Sequence, residues 1–109
     1  MNYSDFPLLK LPPPPVRGDA GLCLHWLERA FLEAQWTERV LAPSLPAYLR
    51  HKLLGLQVLL RDTHTRHRHC RGVHAVTWQK SQFCFLKLRY VRRCLFQHFH
   101  PDVALPASA

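Results

Sequence analysis

Acidic residues are nearly missing from the second half of this 109-residue sequence, and none occurs between Asp62 and Asp102. Residues 1–62 contain seven Lys/Arg and six Asp/Glu, whereas residues 63–109 contain eight Lys/Arg and one acid. The two halves therefore have net charges of +1 and +7. An imbalance of this kind predicts contact with an acidic partner, such as nucleic acid, anionic lipid or an acidic protein groove.

Other absences narrow the class of protein. No apolar run approaches the ~18–20 residues of a membrane span. Prolines follow the first lysine where a secretory signal would have an apolar stretch, so we expect an intracellular protein with no membrane partner. The sequence also lacks a phosphate-binding glycine loop, a G-x-S-x-G turn and paired carboxylates. We therefore expect no enzymatic activity, no catalytic residues and no cofactor.

The cysteines have no C-x-x-C spacing, and they are Cys23, Cys70, Cys84 and Cys94. In a reducing compartment such thiols behave as small hydrophobic residues, which is what we expect here. A disulfide between Cys84 and Cys94, as in a mitochondrial accessory subunit, is an alternative. A zinc site is another, with Cys70 and His74 joined by Cys84 or His69, but this spacing matches no standard finger and no metal is predicted.

The first half predicts a flexible leader followed by helices. Residues 1–18 are proline-rich, with four consecutive prolines at 12–15 that favour an extended, mobile segment. A single small helical domain is expected from 19 to 100, with a tail at 101–109. Asp19 is a candidate N-cap, and apolar residues recur at helical spacing from Gly21 until Pro43 ends the first helix.

A second helix is predicted after a short connection. Ser44 is its candidate cap, and Leu49, Leu53, Leu56 and Leu60 form one apolar stripe before the helix ends near Arg61. Leu54 and Val58 fall on the other side, so we expect this helix to be covered on more than one face. The short connection predicts an antiparallel helical hairpin.

Residues 61–74 are rich in arginine and histidine and predict a basic loop, solvent-exposed from Thr63 to Gly72. Arginine-rich runs serve in nuclear targeting and in nucleic-acid contact. The candidates for either role are Arg61, Arg66, Arg68 and Arg71. Nucleic acid is accordingly a possible secondary partner.

The last block predicts a third helix, because residues 83–98 contain no Gly or Pro and carry good helix formers. A β-hairpin at 73–90 is the alternative, since two stretches there also alternate. The fold class is thus mainly α. Three helices cannot hide all the rings of this block, so an exposed aromatic and cationic patch is expected to bind a partner. Its candidate residues are Trp78, Phe83, Phe85, Tyr90, Arg92 and Arg93.

Two strings in this block carry a family resemblance. V-H-A-V-T-W at 73–78 and F-C-F-L-K-L-R-Y-V-R-R-C-L-F-Q-H at 83–98 resemble the C-terminal half of the adenovirus early region 4 open reading frame 4 proteins. In that family an Arg-rich run precedes a His-Ala-x-Thr-Trp step, Phe-Cys-Phe and Tyr-Val-Arg-Arg. The proline-rich leader, a cysteine before a Trp-Leu pair and a helical middle occur in the same order.

The resemblance implies a viral regulator that has no enzymatic activity of its own. Such proteins bind the WD-repeat B-type regulatory subunit of host protein phosphatase 2A and redirect dephosphorylation, which affects early viral transcription, splicing and cell death. The resemblance places the protein in the host nucleus and cytoplasm. It assigns nuclear targeting to the arginines of 61–71 and phosphatase contact to Phe83. The sequence departs from the family at Val76, where the family has arginine, at the Gln79–Gln82 insertion, and at Phe31, where it has tyrosine.

Overall fold

The apolar periodicity of the sequence becomes a set of helices in the computed structural model, which describes residues 7–15, 20–69 and 74–102. No strand occurs in these three ranges. The mainly helical fold class is confirmed, and the β-hairpin alternative at 73–90 is wrong because residues 74–90 lie within one uninterrupted helix. The elements are α1 (Pro7–Lys10), α2 (Ala20–Leu41), a 3-10 turn (Ala42–Ser44), α3 (Ala47–His67) and α4 (His74–Phe99).

The core is built from one stripe on each long helix, and each stripe steps alternately by four and three residues. This spacing is the pattern of left-handed helix packing, in which side chains of one helix fill gaps on the next. It confirms the predicted α3 stripe. The stripes are residues 23, 27, 30, 34, 37 and 41 on α2, residues 49, 53, 56, 60 and 63 on α3, and residues 77, 81, 84, 88, 91 and 95 on α4.

The three long helices run up, down and up. An ion pair between Glu38 and Arg50, with 4.0 Å between the charged atoms, closes the predicted antiparallel hairpin of α2 and α3 near its turn. Contacts between α3 and α4 join residue 52 to residue 90 and residue 63 to residue 84. Because the contacting residue numbers fall along α4 as they rise along α3, α4 is antiparallel to α3. None of the described helices is long and apolar enough to cross a membrane.

Hydroxyl side chains occupy four stripe positions, and three of these hydroxyls have a hydrogen-bond partner, whereas the buried Thr77 hydroxyl has none among the described residues. The hydroxyls of Thr37, Thr63 and Ser81 each donate to the carbonyl oxygen four residues earlier, at 2.7 to 2.8 Å. This bond lets a small polar side chain sit in an apolar interface. It also explains why Thr63 is buried although we expected it to be exposed.

The second helix differs from the prediction at both ends and on its outer side. It continues to His67, so the first part of the expected loop at 61–74 is helical. Ser44 is not its cap: Pro46 holds that position, and its carbonyl oxygen accepts the Leu49 and Arg50 N–H groups. Asp19, the candidate cap of α2, lies outside the described residues.

The outer side of α3 faces solvent rather than a further layer of protein. Leu54 and Val58 are 43% and 48% exposed, so the expectation that they are covered is wrong. Each helix of a three-helix bundle has two neighbours, and these leave one side of the helix open. The apolar residues of that side therefore remain in contact with water.

The described part of the leader packs against the bundle. Leu8, Leu11 and Pro14 are fully or almost fully buried. The indole N–H of Trp26 donates to the carbonyl oxygen of Pro12 at 2.7 Å. Aliphatic side chains and carbonyl groups of residues 7–15 thus have partners on the bundle, and the flexibility of the leader stays a prediction. The rest of 1–18 and most of the tail at 101–109 lie outside the described residues.

Candidate docking face on the last helix

One side of α4 is exposed along the whole helix, and we call it the α4 outer face. Its members recur every three or four residues, opposite the buried stripe, over a helix about 39 Å long at 1.5 Å per residue. The side chain at every third or fourth position of the helix is therefore accessible to a partner on this side. The α4 outer face consists of Val76, Gln79, Lys80, Phe83, Leu86, Lys87, Tyr90, Arg93 and Gln97.

Large apolar side chains occupy the centre of this face. Phe83 is 47% exposed, Leu86 59% and Tyr90 53%, and they follow one another at three- and four-residue steps. Val76 extends the row toward the start of the helix. A contiguous apolar row of this kind on a small domain usually marks a contact surface for another macromolecule.

The charges beside this row are all positive. Lys80, Lys87 and Arg93 lie on the same face, and α4 contains no acidic residue. The ammonium nitrogen of Lys87 lies 5.6 Å from the centre of the Phe83 ring. Aromatic and cationic groups therefore alternate on one surface, which suits an acidic partner that also offers apolar contacts.

Lys52 of α3 joins this face through Tyr90. Its ammonium group donates to the Tyr90 hydroxyl at 3.2 Å and lies 4.9 Å from the centre of the ring. The hydrogen bond to Tyr90 raises the pKa of Lys52 above its ordinary value. The two contacts with Tyr90 hold Lys52 against an aromatic ring at the boundary between α3 and α4.

The predicted docking residues separate into two groups. Phe83, Tyr90 and Arg93 lie on the α4 outer face. Phe85 is half-buried and packs edge-on against Trp26, with 6.1 Å between ring centres and 78° between planes. Such a ring stabilises the monomer and is poorly placed to anchor a partner.

Trp78 and Arg92 also face the molecule rather than solvent. The Trp78 indole nitrogen is buried and has no hydrogen-bond partner among the described residues. The Arg92 guanidinium donates to the carbonyl oxygens of Leu8 and Leu11. We therefore restrict the docking set to Phe83, Tyr90 and Arg93 and extend it to their neighbours on the same face.

The arginines assigned to nuclear targeting lie near the end of α3. Arg61 and Arg66 are exposed on the helix, and Arg68 is exposed in the turn that follows. Arg71 lies outside the described residues. The three described arginines remain available to an acidic ligand, although two of them are held on a helix and not in a loop.

Neither alternative for the cysteines gains support from the geometry. Cys84 and Cys94 are free thiols. They are ten residues apart on one helix, a separation of about 15 Å, well beyond the span of a disulfide. The part of the chain that the structure describes contains no cluster of three or more potential metal ligands. Cys70 and the side chain of His74, the core of the zinc alternative, lie outside it.

One feature that no sequence pattern indicates is a groove between α3 and α4 of about 250 Å³. Its floor is apolar, and Lys52 and Lys87 stand on its two sides. A glycine such as Gly55 indicates a weak point inside a helix, yet its role depends on what lies opposite it in the fold. Lysines at a spacing of 35 residues give no sequence signal of a shared site.

The α4 outer face and the groove beside it combine exposed apolar area with cations and are the candidate site for contact with another molecule. Comparison with known proteins adds no constraint: no family model matches the chain, and no curated protein or solved structure matches it. The candidate site is accordingly defined by the residues of this chain alone. It is the aromatic and cationic face of a helix that is 26 residues long.

Proposed function

We propose that this chain is a viral regulatory adaptor that binds the WD-repeat B-type regulatory subunit of host protein phosphatase 2A. By occupying that subunit it redirects dephosphorylation, which alters early viral transcription, splicing and host cell death. It acts in the host nucleus and cytoplasm. It supplies a surface to the phosphatase and performs no chemistry of its own.

The observation that carries this proposal is the position of Phe83. The residue belongs to the string that resembles the early region 4 open reading frame 4 proteins, in which a matching phenylalanine contacts the phosphatase. In this chain Phe83 is 47% exposed and has Lys87 beside its ring. A ring that is both exposed and flanked by cations is suited to anchor an interface with an acidic surface.

Two of the three departures from the family fall on this face or beside it, and the third, Phe31, lies on α2. Val76 replaces the family's arginine and is 41% exposed. Lys80, within the Gln79–Gln82 insertion, lies one turn further along the same face and supplies a positive charge. The insertion adds one turn of helix without interrupting α4. Lys80 thus offers a cation near the position from which the arginine is lost.

A pull-down with the tagged full chain tests the proposal. Wild-type protein is incubated with host-cell lysate, and the captured phosphatase subunits are quantified by mass spectrometry. We expect Phe83→Ala to lower their recovery by about tenfold, as for the loss of an anchoring ring. Leu32→Ala is the matched control, because Leu32 is a large apolar side chain of similar exposure, 53%, on α2. Failure of the wild-type protein to recover the phosphatase overturns the proposal, and equal recovery by Phe83→Ala removes Phe83 from the interface.

Nucleic-acid binding is the second candidate function. It is favoured by the exposure of Arg61, Arg66 and Arg68 at the end of α3, where no acidic residue follows Asp62. Binding through phosphate contacts weakens steeply as salt rises. A single-stranded RNA titrated at increasing salt, with wild type and an Arg66→Gln, Arg68→Gln variant, separates the candidates, because Phe83→Ala leaves such binding unchanged.

A further inference from the structure

The groove between α3 and α4 has a continuous apolar floor. Leu56 and Val91 are almost fully buried, and half-buried Leu59 packs against the same core. The volume of about 250 Å³ is below the range of roughly 300–1,000 Å³ typical of sites that enclose a whole small molecule. The groove is therefore the right size for one or two large side chains presented by a longer chain.

Gly55 keeps the groove open on the α3 side. A Cβ atom added at this position would meet no other atom within 4 Å. A single Cβ therefore has room, whereas a side chain longer than that of alanine at 55 would project into this space and narrow the groove. A substitution at Gly55 can therefore close the groove from a surface position, without disturbing the packed stripe of α3.

The rim of the groove is positive on both sides. Lys52 stands on α3 and is fixed by its hydrogen bond to Tyr90, while Lys87 stands on α4. No acid offsets them, because α4 has none and Asp62, the single acid of α3, lies seven residues beyond Gly55. That separation is about 10 Å along the helix axis. An occupant of the groove is therefore placed between two cations from different helices.

We propose that this groove binds an acidic peptide segment of a partner protein, with one large apolar side chain seated on the floor and flanking Asp or Glu residues paired with Lys52 and Lys87. This inference goes beyond the proposed function, because it follows from the groove alone and does not require the phosphatase. The aliphatic floor suits an aliphatic or aromatic side chain. It offers nothing to a nucleic-acid backbone, whose phosphates need charged or polar groups.

Fluorescence anisotropy with short labelled peptides and the full chain tests the shape of the site. The probe has a central Leu with two Asp or Glu residues on each side; comparison peptides carry a central Ala, or Lys in place of the acids. Gly55→Leu fills the groove, and Gly55→Ala is its matched control, since both improve the helix at this position. We expect Gly55→Leu to weaken binding of the acidic Leu peptide by about tenfold or more, the loss expected when a buried aliphatic side chain has no site. Gly55→Ala should bind like wild type.

A second pair of variants tests the charges. Lys87→Glu should weaken binding of the acidic Leu peptide, whereas Lys80→Glu, the same change two turns away on the same helix, should have a clearly smaller effect. Circular dichroism of each variant confirms that the helices are retained. Because both lysines are surface residues, this pair keeps the proposal testable even if Gly55→Leu fails to fold.

Several results overturn the proposal. One is a central-Ala or Lys-flanked peptide that binds as tightly as the acidic Leu peptide, and another is a Gly55→Leu variant that binds this peptide as tightly as Gly55→Ala does. Displacement of the peptide by an RNA oligonucleotide would show a nucleic-acid site instead. Sedimentation showing a dimer of wild type that Gly55→Leu abolishes would show a second copy of this chain. Since no phosphatase is present, failure here leaves the proposed function untouched, and failure of the pull-down leaves the groove untouched.

Discussion

Arg92 holds the carbonyl oxygen of Leu8 with two of its nitrogens, Nε at 2.9 Å and Nη2 at 2.6 Å. The Nη2 atom also donates to the carbonyl oxygen of Leu11 at 2.6 Å. The guanidinium thus joins the beginning of the described chain to α4 across 84 positions of sequence. Arg93, the next residue, is exposed on the α4 outer face. Two consecutive arginines therefore differ in role, since one holds the fold together and the other is free of the core packing and lies at the surface.

Replacing these two arginines separately should change the free energy of unfolding by very different amounts. Arg92→Ala leaves two buried carbonyl groups without their donor, so we expect the free energy of unfolding to fall by about 1.5–3 kcal/mol, the range for hydrogen bonds to a charged group. Arg93→Ala should change it by less than about 0.5 kcal/mol, as for most exposed positions. Urea denaturation followed by circular dichroism measures both. Equal losses in the two variants would contradict the division of roles.

The indole of Trp26 provides a second attachment for the leader. Its N–H donates to the Pro12 carbonyl oxygen, and its ring packs edge-on against Phe85. We expect Trp26→Phe to keep most of the packing, lose the hydrogen bond and cost about 1 kcal/mol. Hydrogen exchange should then rise at Leu11, while the amides in the middle of α3 stay protected. Unchanged exchange at Leu11 would indicate that the indole contributes packing alone.

The sequence was sufficient to predict the helices, because prolines and the spacing of apolar residues define their ends and their inner sides locally. Pro43 limits α2, and the stripe from Leu49 to Leu60 fixes the inner side of α3. The sequence was insufficient to predict the contacts of the leader, because proline-rich composition indicates only that a segment lacks internal hydrogen bonds. The acceptors of residues 7–15 are satisfied by Trp26 and Arg92, which are distant in sequence, and no local pattern reveals that.

For α4, the sequence could not decide which of two apolar stripes is buried. Leu88 and Val91 belong to one stripe, and Phe83, Leu86 and Tyr90 belong to the other, with no deficit of hydrophobicity in either. Packing against α2 and α3 selects the stripe with smaller and aliphatic side chains, which interdigitate in a tight bundle. The rings of Phe83 and Tyr90 consequently remain exposed to solvent. That an exposed patch exists was predictable from composition, but its membership depends on the tertiary contacts.

Adjacent leucines on α3 test this assignment of faces. Leu53 is fully buried and Leu54 is 43% exposed, so the same substitution should have very different costs. We expect Leu53→Ala to lower the free energy of unfolding by about 2–5 kcal/mol, as in other cores. Leu54→Ala should change it by less than about 0.5 kcal/mol. Thermal or urea unfolding of both proteins gives the comparison, and a large cost at Leu54 would mean that the outer side of α3 is covered.

The thiol of Cys84 should make stability depend on pH in the alkaline range. Cys84 is fully buried and donates to the Thr63 hydroxyl oxygen at 3.5 Å. Burial raises the pKa of this thiol above its ordinary value, because a thiolate would lose its hydration. In the unfolded chain a cysteine ionises near pH ~8.5. The unfolded state therefore releases its proton first, and the contribution of this thiol to stability is complete below that pH and declines as pH rises above it.

Urea denaturation between pH 7 and pH 10 checks this dependence on the wild type and on Cys84→Ala. The variant is less stable at pH 7 because it loses the sulfur from the core, but its stability should fall less steeply above pH ~8.5. Cys94→Ala is the control, because it keeps Cys84 and should retain the wild-type slope. Parallel pH profiles for wild type and Cys84→Ala would show that the alkaline loss of stability comes from other groups, and that the Cys84 thiol ionises as readily in the folded bundle as in the unfolded chain.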